Sequence, residues 1–404
     1  MFSLLKKMTL TILLDLDDTL LKNDIHKFIG VYFSLLGEAL SKVVEPPLML
    51  QAMKAAVQTM LTKELPESTL EETFDQIFYP GIGISKKDLA ETINHFYQNI
   101  FPQLQALTTS RPEAQTLVDT LVGQRANIII ATNPLFPRTA IKQRIEWAGL
   151  DSFQDRFALV TDFEQSHYSK PHPAYYAEIL GRLRWPKGPV VMVGNSLEDD
   201  ILPAEKLGLP TYWLTEEGPP AADFHPLSRQ GAFSGILPWV EEIITQNPLP
   251  TYDSVPAILA SLQATPAILD TFFRLGQHQN WNLRPGSNEW SFTEILCHLR
   301  DVDLEVNSQR IEAVANGTNP FIPGINTDTW ADERNYSVEH APTALLGFIQ
   351  ARTAILNRLF HLSIDTWQLP ARHAIFGPTT LKELLGFIAT HDRVHISQSW
   401  TTLQ

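Results

Sequence analysis

Ile12-Leu13-Leu14-Asp15-Leu16-Asp17-Asp18-Thr19-Leu20-Leu21 is the stretch on which the fold turns. The apolar run from Leu10 to Leu14 reads as a buried strand of a parallel sheet. It stops on a carboxylate, and a second carboxylate follows two residues on. A chain leaving a sheet edge presents both side chains in one crevice, where open α/β sheets bind ligands. Two acids and a hydroxyl there suit metal-assisted phosphoryl transfer. One acid attacks, the other handles protons, and a divalent cation offsets the crowded charge.

The pattern Asp15-x-Asp17-x-Thr19 after a strand resembles motif I of the haloacid dehalogenase-like hydrolase superfamily. An acidic turn followed by a helix cap uses the same residues. The remaining parts must therefore follow in order along the chain.

The 404 residues call for two or three domains. An apolar share of 44% allows a sizeable core. With 31 basic and 45 acidic residues the net charge is −14, which disfavours nucleic-acid and anionic-membrane partners. One cysteine, Cys297, excludes an intramolecular disulfide and fits a reducing cytoplasm. Met1 to Leu14 carries two lysines and a short apolar run ending in Asp15, so it reads as a brief leader plus strand rather than a signal peptide. No run of about 18 apolar residues is evident, so no transmembrane helix is expected.

From Leu21 to about Leu107 the strand signal is weak. Apolar residues recur at helical spacing, as in Phe28, Ile29, Val31, Tyr32, Leu35, Leu36 and Leu40. The resemblance makes this a helical cap, about residues 22–107, that covers the active site and chooses the substrate. Strand signals return at Ala126–Ala131, ending in Thr132-Asn133. A hydroxyl at a strand end followed by exposed backbone N–H groups forms a phosphate cradle, and the pair resembles motif II. Phe157–Thr161 is a further strand. Ser169-Lys170-Pro171-His172-Pro173 holds a lysine in a stiff turn and matches motif III. Pro189–Val193 then leads into Gly194-Asn195-Ser196-Leu197-Glu198-Asp199-Asp200-Ile201, which resembles motif IV with Asn195 in place of its first aspartate. An amide oxygen can still ligate Mg²⁺ but brings no charge. Thr211–Leu214 reads as another strand, and Gly235–Thr245 as a closing strand-helix segment.

Four such motifs in order, over about residues 9 to 245, imply a Rossmann-like α/β core with a helical cap. They also imply a mechanism. Asp15 attacks phosphorus to form an aspartyl-phosphate, and Asp17 protonates the leaving alkoxide and then activates water. Thr19 orients the loop. Thr132, Asn133 and Lys170 hold the phosphoryl oxygens. Mg²⁺ sits among Asp15, the Asp17 carbonyl, Asn195 and Asp199 or Asp200. Dehalogenases of the superfamily lack the second acid and need no metal, so Asp17 favours a phosphatase.

Two prolines in Gln246–Asp253 make residues 247–255 a short, stiff linker after a hydrolase domain over 1–246, whose core is 9–21 and 108–246. From Val255 the strand signal vanishes. Helical stretches at about Pro256–Gly276, Phe292–Asn316, Thr343–His361 and Leu381–Leu403 suggest an all-α four-helix bundle over 256–404. Ser291-Phe292-Thr293-Glu294 is a capping box. His391 and His395, four apart, share a helix face with Leu384, Phe387, Ile388 and Val394, and His298 lies on the apolar stripe with Ile295 and Val302. Three converging imidazoles would suit Zn²⁺ or Ni²⁺.

Trp290–Ile295 with His298–Asp303, and His391–Gln398, resemble the DinB-like family over about residues 256–404. That resemblance implies a bundle binding a metal through three histidines in these positions. Some members transfer low-molecular-weight thiols or isomerise thiol adducts; many have no assigned activity, and fold alone does not settle function. The leading expectation is a cytoplasmic Mg²⁺-dependent phosphomonoester hydrolase fused to a metal-binding bundle. The expected partner is a small phosphorylated metabolite, with a homodimer as a candidate assembly. Thiol-dependent transferase or isomerase chemistry in the bundle, or a non-catalytic metal- or partner-binding bundle, is the alternative.

Overall fold

The computed structural model describes residues 9–215, 224–276 and 279–404, and leaves the side chain of Phe153 aside. The leader expected at the N-terminus lies, up to Met8, outside the described residues. Two compact units are present. One comprises Met1–Lys63, Ser68–Tyr176 and Pro186–Thr251, and the other Glu64–Glu67, Ala177–Trp185 and Tyr252–Gln404.

The first unit is built on β1 (Thr11–Leu14), whose four side chains are all buried. A strand buried on both faces must be apolar throughout, which is why the run from Leu10 has no alternation. After it come two short strands, β2 (Leu21–Asn23) and β3 (Thr108–Ser110), paired antiparallel across the long segment between them. Then follow β4 (Asn127–Ile130), β5 (Phe157–Val160), β6 (Val190–Gly194), β7 (Thr211–Leu214) and β8 (Arg229–Gly231). Six of these strands form one parallel sheet in the order β5-β4-β1-β6-β7-β8. Helices such as Pro112–Gly123 and Arg138–Trp147 connect them, as parallel strands require. This is a Rossmann-like core.

The β2–β3 ribbon brackets four helices: Ile25–Leu40, Pro46–Thr62, Leu70–Ile82 and Lys86–His95. Asp24 caps the first through the Lys27 N–H, and Thr69 with Glu72 forms a capping box on the third. Gly83, in the left-handed region at φ 70°, ends that helix. The ribbon strands were not expected at the edges of the 22–107 segment, because three-residue strands carry too little periodicity to read. The closing segment needs a similar correction. Residues Ile236–Gln246 are helix, and the strand is β8, upstream at the sheet edge, where Arg229-Gln230-Gly231 shows no apolar pattern.

The second unit has long helices at Val255–Leu275, Ala341–Phe360 and Leu381–Thr401. A fourth helical run, Phe292–Asn316, has a π turn at Asp303–Asn307 inside it. These make the four-helix bundle. Strands are not absent, however. β9 (Phe321–Ile322), β10 (Pro370–His373) and β11 (Gly377–Thr380) form a three-stranded sheet in the helix connections. Pro370, Gly377 and Pro378 mask the strand signal. The helix Val255–Leu275 is long and apolar enough to cross a membrane by length and composition, and 83% of its most apolar window is buried inside the protein. That burial marks a core helix.

Candidate functional site

Parallel register brings the ends of β1, β4 and β6 side by side: Leu14 pairs with Ile130 and with Val193. Each strand then releases a polar residue at the same rim, Asp15, Thr132 and Asn195. This rim is the C-terminal edge, where α/β sheets hold ligands.

Asp15 is 7% exposed and Lys170 2% exposed. The Lys170 Nζ donates to Asp15 Oδ1 at 2.7 Å and to Asp200 Oδ1 at 2.5 Å. The Thr19 hydroxyl donates to Asp15 Oδ2 at 2.9 Å and lies 3.3 Å from Asn195 Oδ1. The Ser196 N–H donates to the other Asp200 oxygen at 3.0 Å. So Asp15, Thr19, Lys170, Asn195 and Asp200 form one connected cluster. Asp199 is half-buried. Its N–H is capped by the Ser196 hydroxyl and its carbonyl accepts from Tyr176.

Burial, then the Asp200 carboxylate, push Asp15 above the usual carboxylate range. Burial does the same to Asp200. Burial alone would lower Lys170, but Asp15 and Asp200 outweigh it and keep the ammonium charged. Two buried carboxylates against one ammonium leave one negative charge uncompensated. That imbalance, with the neutral Asn195 oxygen beside it, fits a divalent cation of the Mg²⁺ type, which favours oxygen ligands.

Thr132 is buried, and its carbonyl accepts from Thr161 and Tyr175 hydroxyls at 2.7 and 2.8 Å. Asn133 Oδ1 is buried without a partner, an orphaned polar atom at the rim. Lys170 sits in a turn closed by the His172 N–H to the Ser169 carbonyl, with a cis bond to Pro171.

Asp17 departs from the expectation. Its backbone stays at the rim, bridged to Leu21, but its carboxylate does not join the cluster. Arg144 Nη1 donates to Asp17 Oδ2 at 2.5 Å and Asn23 Nδ2 to Oδ1 at 2.9 Å. Asp18, at φ 58°, turns the chain, and its side chain accepts from the Asn23 N–H. Arg144 is fully buried over the Phe136 ring, with Nε and Nη2 unpartnered. Neither Arg144 nor Asn23 was read from the sequence. The signal for Arg144 was an arginine on an otherwise apolar helix stripe with Ile141, Ile145 and Ala148.

In the second unit, His298, His391 and His395 bring ligand atoms within 4.8 Å of one another. His391 Nε2 lies 3.1 Å from His298 Nε2 and 3.0 Å from His395 Nε2. Gln398 Oε1 accepts from His395 Nδ1 at 2.8 Å, which puts the His395 lone pair on Nε2. Burial, then His391, pull His298 down to about 4; burial is the first cause lowering His391 and His395 as well. Three neutral imidazoles converging on one point form a fitting donor set for a borderline transition metal such as Zn²⁺ or Ni²⁺. Trp290 stacks parallel on His395 at 5.6 Å.

Leu384 and Ile388 are buried below these histidines, but Phe387 and Val394 are 41% and 52% exposed, against the expected buried face. Val394 precedes His395 by one residue, a rotation of about 100° out of the core. Beneath the site, Arg352 is fully buried between Asp303 and Asp392, contacts at 2.7 and 2.5 Å that sequence reading also missed.

A family model for haloacid dehalogenase-like hydrolases matches residues 9–208, and a model for the DinB superfamily matches residues 261–399. No curated protein matches the chain. Among solved structures, a 2-haloacid dehalogenase from Pseudomonas syringae pv. Tomato DC3000 is 18% identical, covering 58% of this chain and 99% of that one, with a TM-score of 0.43. A HAD phosphatase from Thermococcus onnurineus is 16% identical over 57% of this chain and 97% of that one, with a TM-score of 0.38. YfiT from Bacillus subtilis, described as a probable metal-dependent hydrolase with an unusual four-helix bundle topology, is 16% identical over 35% of this chain and 81% of that one, with a TM-score of 0.32.

Proposed function

A chain that joins a haloacid dehalogenase-like hydrolase domain to a DinB superfamily domain is, we propose, a Mg²⁺-dependent phosphomonoester hydrolase with a metal-binding bundle attached. The observation that carries this reading is the Asp15–Lys170–Asp200 cluster at the end of β1. It supplies a nucleophilic carboxylate with a fixed cation beside it, in the place where a transferring phosphoryl group would arrive.

Asp15 Oδ attacks phosphorus as the bond to the leaving oxygen breaks, and Asp17 gives that oxygen its proton. Asp17 then takes a proton from water, which attacks phosphorus and releases Asp15. To do so the Asp17 carboxylate gives up its Asn23 contact on Oδ1 and turns while Arg144 keeps hold of Oδ2. Lys170 and Thr132 neutralise and hold the phosphoryl oxygens, with Asn133 beside them. Asp15, the Asp17 carbonyl, Asn195, Asp199 and Asp200 would hold Mg²⁺, which would supply charge neutralisation. Asp17 favours a phosphatase over a dehalogenase. A helical cap favours a small phosphorylated metabolite, and the single cysteine favours a cytoplasmic location.

Phosphate release from a panel of phosphorylated metabolites with Mg²⁺ tests this. Activity that vanishes in Lys170→Ala supports it; activity that survives the change refutes the arrangement.

The convergence of three Nε2 atoms favours a second reading for the bundle, a single Zn²⁺ or Ni²⁺ held by His298, His391 and His395. Thiol-dependent transferase or isomerase chemistry there is the alternative seat of activity, and a non-catalytic regulatory role the other. Elemental analysis should find about one equivalent of transition metal per chain, lost in His391→Ala. Retention of the metal in that variant would exclude this ligand set.

A further inference from the structure

Beside His391, the second unit holds a partly open cavity of about 230 Å³. That is below the ~300–1,000 Å³ of drug-sized sites, so it suits a small metabolite. Its walls are largely aliphatic, from residues such as Val306, Leu384 and Ile388. No acidic side chain lines it, in a protein with 45 acids.

Two polar groups stand out against those walls. Arg310 is half-buried, and its Nε is buried without a partner. Its Nη2 makes a long contact to the Pro323 carbonyl at 3.4 Å. Among the described residues no carboxylate lies in ion-pair range of it, whereas Arg284, Arg334 and Arg352 of the same unit all engage carboxylates. Burial pulls Arg310 below its ordinary value with nothing to offset it. A guanidinium whose Nε is shut off from water, with no counter-charge beside it, is costly to keep, and a bound anion would lower that cost.

His373 is the second group. Its Nδ1 accepts from the Ile375 and Phe376 N–H groups at 3.2 and 3.4 Å, which leaves the ring proton on Nε2 as a donor. His391, the central member of the histidine trio, lines the same cavity.

We infer that this cavity is a binding site for a small organic carboxylate with an apolar body, its anionic end taken by Arg310 and His373 and its other end directed toward His391. The site is independent of the phosphatase reading, and the anion contact does not require a metal.

Isothermal titration calorimetry of the full chain with hexanoate and with 1-hexanol tests it, with the protein as purified and after chelation. Hexanoate should bind at least tenfold more tightly than 1-hexanol in both preparations. Arg310→Gln should erase that preference, Arg310→Lys should keep part of it, and Val306→Phe, which fills the cavity, should weaken both ligands. Circular dichroism confirms that each variant is folded. Equal affinity for the two ligands, no detectable hexanoate binding at millimolar concentration, or hexanoate binding indifferent to Arg310→Gln would overturn the inference. So would binding that disappears with the metal, since the metal would then be the anion's partner.

Discussion

Asp17 stands two residues from Asp15 yet faces different partners, Arg144 and Asn23. Arg144 therefore acts on the proposed reaction through Asp17, as a positioning residue. Positioned acid–base groups contribute about 10²–10⁴ in rate. Arg144→Met should lower kcat by a comparable order on an alkyl phosphate, with KM little changed. The loss should be much smaller on p-nitrophenyl phosphate, whose leaving group needs little protonation, and Arg144→Lys should recover part of it. An equal loss on both substrates would show a merely structural arginine. His172, two residues after Lys170, offers a second test. Burial, then Lys206, hold it down to about 4 from 6.5, and its Nδ1 accepts from the Ala174 N–H. Its folded value lies below its unfolded one, so the neutral ring's contribution is present above about pH 6.5 and is lost as pH falls through about 4. Melting temperature should therefore fall less steeply over that window in His172→Gln than in the parent protein, and parallel profiles would rule the effect out.

At the scale of elements, the ends of β1, β4 and β6 decide what meets at the rim. β6 ends on Gly194 because nothing larger fits: a Cβ there would lie 2.3 Å from Asp200 Oδ2 and 2.5 Å from its Cβ. Asp200 is held on its other side by Lys170 and Ser196. Gly194→Ala should thus displace Asp200, at the about 1–3 kcal/mol typical of overpacking. Mg²⁺ titration of phosphate release should show a raised half-saturation concentration. A variant with unchanged Mg²⁺ dependence would mean that Asp200 is not needed around the ion. In the bundle, the π turn at Asp303–Asn307 lets one helical run carry both His298 and, beyond it, the cavity residue Arg310.

Over the whole chain, the two candidate sites differ in ligand chemistry, oxygen at the sheet rim and nitrogen in the bundle. Protein stripped with EDTA and given Mg²⁺ alone should regain phosphate release; a need for added Zn²⁺ as well would contradict that division. The sheet rim was largely legible in the sequence because buried parallel strands are continuous apolar runs, and a polar residue ending such a run marks the rim. Leu10–Asp15 and Val190–Asn195 both read this way. The three histidines were legible because helical spacing stacks positions four apart. What escaped reading depends on long-range pairing. Arg144 finding Asp17, and Arg352 finding Asp303 and Asp392, join residues far apart in the chain that no local pattern links. β9 to β11 escaped because strands of two to four residues interrupted by proline and glycine have no period to detect.

The central claim is that Asp15 carries the phosphoryl group. Acid-quenched turnover followed by peptide mass spectrometry addresses it directly. The account predicts one added phosphoryl group on the peptide containing Asp15, labile at alkaline pH and missing from Asp15→Asn, which should also release no phosphate. Turnover by Asp15→Asn at the parent rate, or a phosphoryl group on another residue, would contradict it.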